Sequence, residues 1–509
     1  MQGRFSIEIG ARSTGVNDFL LGVSTSAESS DGGFSSDTTG TNLTVKPGVL
    51  MPPGPVTDAS TNLTEELIAS TEDPGYLGDD RVMVGDEKGL YTFDSGALTK
   101  EATAAPTGDI TLGTSDMVSW FDDNDNLVYY YITTAAGANG DIVRWNGGAT
   151  VVNDYWTSAS HLNQSALSAY TPYRPLLVYE KNLYIGDANR LHRVEPDETV
   201  TAGILSLTGA NDSSVEPPEV ISALGIDNSS GYMLIATSFS NDYSAARNGR
   251  SRLYYYDGFS NKTLKVINTH GTITAIVSVG DATHVFYGNK MGLFTGSGIK
   301  HLRTFRFNVG DSTDLIYKHK VTVIDDTIYI AEQNKLGSAI YPTTIMAYGP
   351  VQQGGQNIFY PVLSPDTTNK EISLLCPVDG AKLGFSYATD KFFTYDTTST
   401  ASVIIGGAFF QSNWYRFPRP VELRNVIIEL ESQLDTGTEA IMTIQIEDEN
   451  RDTTTIQTFL QDTNNRAVLI SPTIGMKVTA FRLKHINAPE TPADIHGVNR
   501  FVVFYDYVE

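Results

Sequence analysis

The sequence predicts an all-β protein, with a β-propeller of about seven blades between an extended N-terminal arm and a C-terminal β-sandwich. Three observations predict it. One hairpin unit returns along the middle of the chain, long helical patterns are missing, and the composition favours short strands joined by tight turns. The unit is a short apolar strand, a Gly/Asn/Asp turn, and a second strand opening on an apolar pair. Its clearest copies are Arg81–Asp94, Asn182–Val194 and His284–Thr295, and weaker ones are Leu127–Trp145, Tyr232–Asp257, Thr327–Tyr348 and Leu383–Tyr395. Seven copies at intervals of roughly 40–60 residues match the period of propeller blades. The 509 residues include 45 Gly and a combined 48 Tyr and Phe, and aromatic side chains suit a pleated, half-buried surface. The best helical candidate, Thr64–Ser70 (TEELIAS), amounts to two turns at most.

Residues 1–75 form the predicted arm. The stretch Ser24–Thr44 is rich in Ser, Gly and Thr, and Pro47–Pro55 follows it. Such a segment buries too little apolar surface to offset its own ordering entropy, so it is expected to be disordered or to lie extended on a partner. Its apolar patches Phe5–Ile9 and Phe19–Val23 can add as strands to a sheet edge. Residues 76–400 form the propeller. Strands at Met117–Phe121, Leu176–Tyr179, Val220–Leu224, Thr274–Val279 and Val321–Ile324 precede hairpins, and Leu98–Lys100, Thr150–Val152 and Thr263–Ile267 follow them. Four antiparallel strands per repeat make a blade. The loops Phe239–Ser251 and Tyr348–Thr367 are expected to carry partner contacts.

Residues 401–509 read as a compact sandwich of seven strands. They are Trp414–Phe417, Val421–Leu430, Ile441–Glu447, Thr454–Leu460, Ala467–Ile470, Lys477–Asn487 and Phe501–Val508. The last alternates only partly, which fits a strand paired on both sides.

The net charge of −24 is spread along the chain. With no basic stripe to neutralise phosphates, nucleic-acid binding is disfavoured. The charge either keeps the protein in solution or, as an acidic wall, lets DNA pass without sticking. The N-terminus lacks a secretory pattern, and no apolar run is long enough to span a bilayer. Cys376, the one cysteine, lies in an apolar strand and reads as a buried hydrophobe.

Catalytic, cofactor and metal residues are all expected to be absent. The eight histidines (161, 192, 270, 284, 301, 319, 485, 496) are scattered, and no nucleophile elbow or phosphate-cradling loop occurs. Asp122–Asp125 has some calcium-loop character but reads as a blade turn, and Glu447–Asp452 reads as a hairpin connection. In the runs Tyr129–Tyr131 and Tyr254–Tyr256 alternate members must point to opposite sheet faces, so packing between blades is favoured over stacking on sugars.

Hairpins of the type Asn182-Leu-Tyr-Ile-Gly…Leu191 combine here with a final domain that starts Trp414-x-x-Phe417-x-x-Pro420 and leads into Val421-Glu-Leu-Arg. That domain closes on Phe501-Val-Val-Phe-Tyr. Together they resemble tail hub or nozzle proteins of short-tailed bacteriophages, over roughly residues 80–509. The resemblance implies a non-catalytic virion structural protein, made in the host cytoplasm, that forms a homo-oligomeric ring around the DNA exit channel, commonly a hexamer. It also implies adaptor and fibre proteins of the tail as partners, free passage of DNA, and no membrane anchor. An alternative is a receptor-binding adhesin or lectin for a host surface glycan. A propeller hydrolase would need a cluster of carboxylates in the central channel.

Overall fold

The computed structural model describes residues 4–10, 23–24, 34–36, 56–59, 63, 67–72, 81–85, 90–94, 96–100, 108–109, 116–124, 128–134, 141–146, 151–152, 155–165, 167, 174–207, 219–239, 250–305, 318–336, 339–350, 357–363, 372–378, 382–387, 391–397, 408–412, 414–430, 441–450, 452–459, 467–470, 476–488 and 498–508. Seven four-stranded sheets follow one another along the chain. In every one the recurring hairpin supplies the second and third strands, from Arg81–Gly85 with Leu90–Asp94 in blade 1 to Lys382–Tyr387 with Phe392–Asp396 in blade 7. Each first strand lies against the first strands of the blades before and after it. The first strand of blade 7, Ile372–Val378, also meets that of blade 1, Leu67–Glu72, which completes the ring. The fold is a seven-bladed β-propeller. Among the described residues no helix is long and apolar enough to cross a membrane.

Blade 7 is made from two distant parts of the chain. Its outermost strand is Val56–Asp58, set beside Phe392–Asp396. Ala59 N–H donates to the Phe392 carbonyl at 2.9 Å, and Lys391 Nζ lies 3.2 Å from the Asp58 carboxylate. Under this seam a buried cluster joins Ala59, Leu63, Leu67 and Phe93 to Leu374, Cys376 and Phe392. Cys376 is thus a packed side chain of a first strand, fully buried. The strands Val56–Asp58 and Leu67–Glu72 precede residue 76, where the sequence ends the arm. Leu67–Glu72 also corrects the candidate helix at Thr64–Ser70: pairing with Arg81–Gly85 overrides the helical propensity of Glu and Leu.

Blades pack through alternate side chains. Tyr254 and Tyr256 enter the cluster shared with blade 3, whereas Tyr255 enters the one shared with blade 5. At closest approach the first strands tolerate no side chain: a Cβ on Gly225 of blade 4 would stand 2.5 Å from Ile276 of blade 5. Hydrogen bonds then link the turns of successive blades. Trp120 Nε1 donates to Lys181 O, Tyr179 Oη to Gly231 O, and Asn228 Nδ2 to Gly280 O, at 2.8–3.0 Å. The turn residue Asn189 donates to Leu207 O at 3.0 Å and Asn289 to Phe305 O at 2.9 Å, tying each outer strand to its hairpin. The asparagine of the repeat is therefore a strand lock. Blade 2 is irregular: Val152 joins Arg144 by an isolated bridge, and Gly108–Asp109 pairs with Val128–Thr134.

The chain divides into two compact units. One comprises Thr57–Tyr341 and Lys370–Thr394; the other comprises Met1–Val56, Pro342–Asn369 and Tyr395–Glu509. In the second, a ten-stranded sheet runs in the order Arg4–Gly10, Val498–Tyr507, Tyr415–Leu430, Met476–Ala488, Ala408–Ser412, Phe34–Ser36, Val23–Ser24. Three more strands branch from it: Ala467–Ile470 on Tyr415–Leu430, and Ile441–Asp448 on Met476–Ala488, followed by Thr453–Phe459. Strands that switch partners in this way turn the corners of a sandwich. The terminal strand is paired on both sides, by Arg4–Gly10 and by Tyr415–Leu430.

The two sequence segments at Trp414–Phe417 and Val421–Leu430 are one strand, Tyr415–Leu430. Its register shifts between Arg416 and Val421, where Pro418 and Pro420 can donate no ladder hydrogen bond. Phe417 stacks on Phe481 and meets Tyr505 at a tilt, and Arg482 sits over Trp414 while making a buried ion pair with Glu447 at 2.8 Å. The Glu447–Asp452 segment is a hairpin connection, with Asp448 Oδ1 accepting from Asn450 N and Asp452 N at 2.9 Å.

Two substitutions test the seam and the strand lock. Ala59→Pro removes the donor to Phe392 and should lower stability by about 1–3 kcal/mol in denaturant unfolding, with Ala59→Ser close to wild type. Asn289→Ala leaves the Phe305 carbonyl without its side-chain donor and should cost about 1–2 kcal/mol by the same measurement.

Candidate functional site in the propeller channel

Residues on or beside the first strands of blades 1, 2, 3, 5, 6 and 7 line a cavity of about 460 Å³. That volume falls in the range of small-molecule sites. Aliphatic side chains such as Val118, Ile276, Val323 and Leu375 form much of its wall, with Ser70, Ser119, Ser278 and Thr322 among them. Ser278 Oγ is occupied, donating to Ile226 O at 2.6 Å.

Charge enters the cavity at two points. Asp116 precedes the first strand of blade 2, and Lys318 opens a single 3-10 turn, Lys318–Lys320, that precedes the first strand of blade 6. Lys318 Nζ lies 3.0 Å from both carboxylate oxygens of Asp116, a bridge between blades that are not neighbours in the ring. The same carboxylate accepts from Met117 N at 2.9 Å and Leu176 N at 3.2 Å, so Asp116 also ties blade 2 to blade 3. The 3-10 turn touches the first strands of blades 1, 5, 6 and 7. It lies across the channel as a crossbar. Burial pushes the imidazole of His319 in this turn down to about 3, and the neighbouring Lys320 ammonium adds to the effect. The ring is therefore neutral at ordinary pH, and the one carboxylate among the described lining residues already has a cationic partner.

Several titratable groups elsewhere sit in packed clusters. Glu219 of blade 4 is fully buried; it accepts from Tyr254 Oη at 2.7 Å and Thr237 Oγ1 at 3.0 Å, and it pairs with Arg252. Burial, with that carboxylate beside it, pushes the Tyr254 hydroxyl up to about 12. In blade 3, Asp187 stands between Arg174 at 3.2 Å and His192 at 3.5 Å, and His192 Nδ1 accepts from Gly203 N at 3.1 Å. Trp156 packs edge-on to His192, with ring centroids 5.2 Å apart. The Asp187 carboxylate thus joins Arg174 and His192 within blade 3. Arg144 meets Glu198 at 2.7 Å and Tyr155 at 2.9 Å, joining blades 2 and 3.

The candidates raised by the sequence can now be placed. Asp122 turns back on itself, accepting from Asn124 N at 2.7 Å, and stands 3.6 Å from Arg144, whereas Asp125 lies outside the described residues. Among the described residues no group of three His, Cys, Asp or Glu could hold a metal ion. Burial drives His284 down to about 4. The side chains of Tyr129–Tyr131 and residues 240–249 of the first expected loop are outside the described residues, whereas the second, Tyr348–Thr367, is not simply a loop: Asn357–Leu363 in it is the outermost strand of blade 6, paired with Ala339–Pro350. Sequence reading missed the Lys318–Lys320 crossbar, whose signal is a Lys-His-Lys triplet directly before an apolar first strand.

No known protein family matches this chain, and no curated protein matches it. Solved structures with similar folds include YCF48 from Cyanidioschyzon merolae, at 10% identity and a TM-score of 0.41, covering 68% of this chain and 100% of that one. BamB from Moraxella catarrhalis shares 13% identity at a TM-score of 0.37, covering 68% and 92%. A gluconolactonase from Xanthomonas campestris shares 8% at 0.33, covering 71% and 95%.

His284 and His319 stay neutral in the fold well below the pH at which an unfolded histidine protonates. Unfolding between pH 4 and 6.5 should therefore take up about one proton at each, and stability should fall as pH drops through that window. Calorimetry in buffers of different ionisation enthalpy measures the uptake, and His284→Phe should reduce it by about one proton.

Proposed function

We propose that this protein is a ring-forming structural component of a tailed-phage virion, a hub or nozzle piece around the DNA exit channel, without a catalytic step of its own. The observation that carries this reading is the use of the N-terminal segment. Arg4–Gly10 caps one edge of the ten-stranded sheet, and Val23–Ser24 with Phe34–Ser36 caps the other. These strands pair within their own chain rather than on a partner; exchanged onto a neighbouring copy, the same backbone hydrogen bonds would build an assembly with little demand on sequence. The tail-protein resemblance of the Trp414-to-Pro420 and Phe501-to-Tyr505 segments supports the same reading. In the channel the Asp116 carboxylate is held by Lys318 rather than set beside a second acid. The partners in this reading are further copies of the chain, probed as a hexamer, and the adaptor and fibre proteins of a tail.

The channel cavity favours a second reading, an adhesin that takes a host glycan. Its volume and its mixture of hydroxyls with aliphatic wall suit one or two sugar rings.

Mass photometry at low micromolar concentration, followed by electron cryomicroscopy, tests the first reading, with a closed ring as the expected result. A strict monomer, both alone and with tail adaptor and fibre proteins, overturns it. A glycan array tests the second, and folded protein without a hit removes it.

A further inference from the structure

The channel cavity is electrically balanced. Among its described lining residues Lys318 is the one cation and Asp116 the one anion, while burial keeps His319 neutral at ordinary pH. Lys318 Nζ reaches both Asp116 oxygens at 3.0 Å. Each oxygen also accepts a backbone N–H, Oδ1 from Met117 and Oδ2 from Leu176. A carboxylate offers about four lone-pair sites, so Asp116 has none left for a guest. Lys318 is less committed. Its side chain is 45% exposed against 14% for Asp116, and an ammonium keeps a further N–H beyond those aimed at one carboxylate.

Hydroxyls complete the polar part of the wall. Ser70, Ser119 and Thr322 stand on the first strands of blades 1, 2 and 6, and their side-chain oxygens have no hydrogen-bond partner among the described residues. Each can both donate and accept. Much of the remaining wall is aliphatic, and no described lining residue is aromatic. The site thus offers hydroxyls, one spare ammonium N–H and C–H surface, with no net charge.

We propose that the channel site takes an uncharged sugar ring, and that the Lys318–Asp116 pair sets this choice. The proposal rests on the glycan reading above and adds to it the class of glycan. A neutral ring brings hydroxyls that accept from Lys318 and exchange hydrogen bonds with Ser70, Ser119 and Thr322, while its C–H face meets the aliphatic wall. An acidic sugar would set a second carboxylate beside Asp116 with one ammonium to share, and like charges at a shared site disfavour each other. An amino sugar would find the carboxylate already saturated, and could pair with it only by displacing Lys318. Each charged guest leaves one charge uncompensated, whereas a neutral guest leaves the pair intact.

Ligand-observed NMR titration of the full chain with methyl glucoside, methyl glucuronoside and glucosamine tests it, at about pH 6, where the amine is protonated. The neutral glycoside should bind at least about tenfold more tightly than either charged sugar. Asp116→Asn leaves Lys318 as an unbalanced cation and should turn the preference to the glucuronoside. Lys318→Met leaves Asp116 its two backbone donors and should turn the preference to glucosamine. Circular dichroism shows which variants are folded, and the wild-type order of preference decides by itself if neither is. Wild-type protein that prefers a charged sugar overturns the proposal and leaves the glycan reading standing. So does a folded variant that keeps the wild-type preference. Absence of binding by all three sugars also overturns it, and a glycan array without a hit then removes the glycan reading as well.

Discussion

The propeller depends on one seam. Six blades are made from consecutive strands, but the seventh needs Val56–Asp58 from the beginning of the chain beside Phe392–Asp396 near its end. Only this arrangement brings the first strand of blade 7 against that of blade 1. The cluster of Leu67, Phe93, Leu374 and Phe392 then sits at the one place where the chain does not run on to the next blade. Backbone pairing and apolar burial fall at the same seam, so neither has to hold the ring alone.

Within the ring, rigidity comes from side chains that serve two blades at once. The Tyr254–Tyr256 run sends two rings to one neighbour and one to the other, because successive residues of a strand face opposite ways. Buried polar groups follow the same logic. Glu219 and Asp187 each gather several donors, which is the condition under which a carboxylate can leave water. These clusters mimic catalytic constellations in composition.

Much of this was legible beforehand. The hairpin unit marks all seven pairs of second and third strands, since a period of that length survives loss of sequence detail. Leu176–Tyr179 and Val321–Ile324 agree with the sequence to the residue. Other features were hidden for physical reasons. Val56–Asp58 is three residues long, too short for any pattern, and is a strand only because its partner lies more than three hundred positions away. The turn Glu180–Lys181 takes positive φ at both residues (46° and 71°) without the Gly or Asn that usually announces it. Asp116 and Lys318 meet only after the ring has formed, so no local signal could pair them.

The seam also sets a schedule for synthesis. Asp58 and Lys391 are 333 residues apart, and at roughly 5–20 residues per second the ribosome needs roughly 20–60 s to supply the second after the first. During that time blade 1 has one uncovered flank and the closing strand has nothing to pair with. The sheet that carries Arg4–Gly10 waits longer, since its partner begins at Val498. The propeller is thus completed only once Phe392–Asp396 has been made, and the second sheet only after almost the whole chain has been translated. The crowded interval before closure, when unpaired strands of neighbouring nascent chains can find each other, is when the protein is most exposed to misassembly.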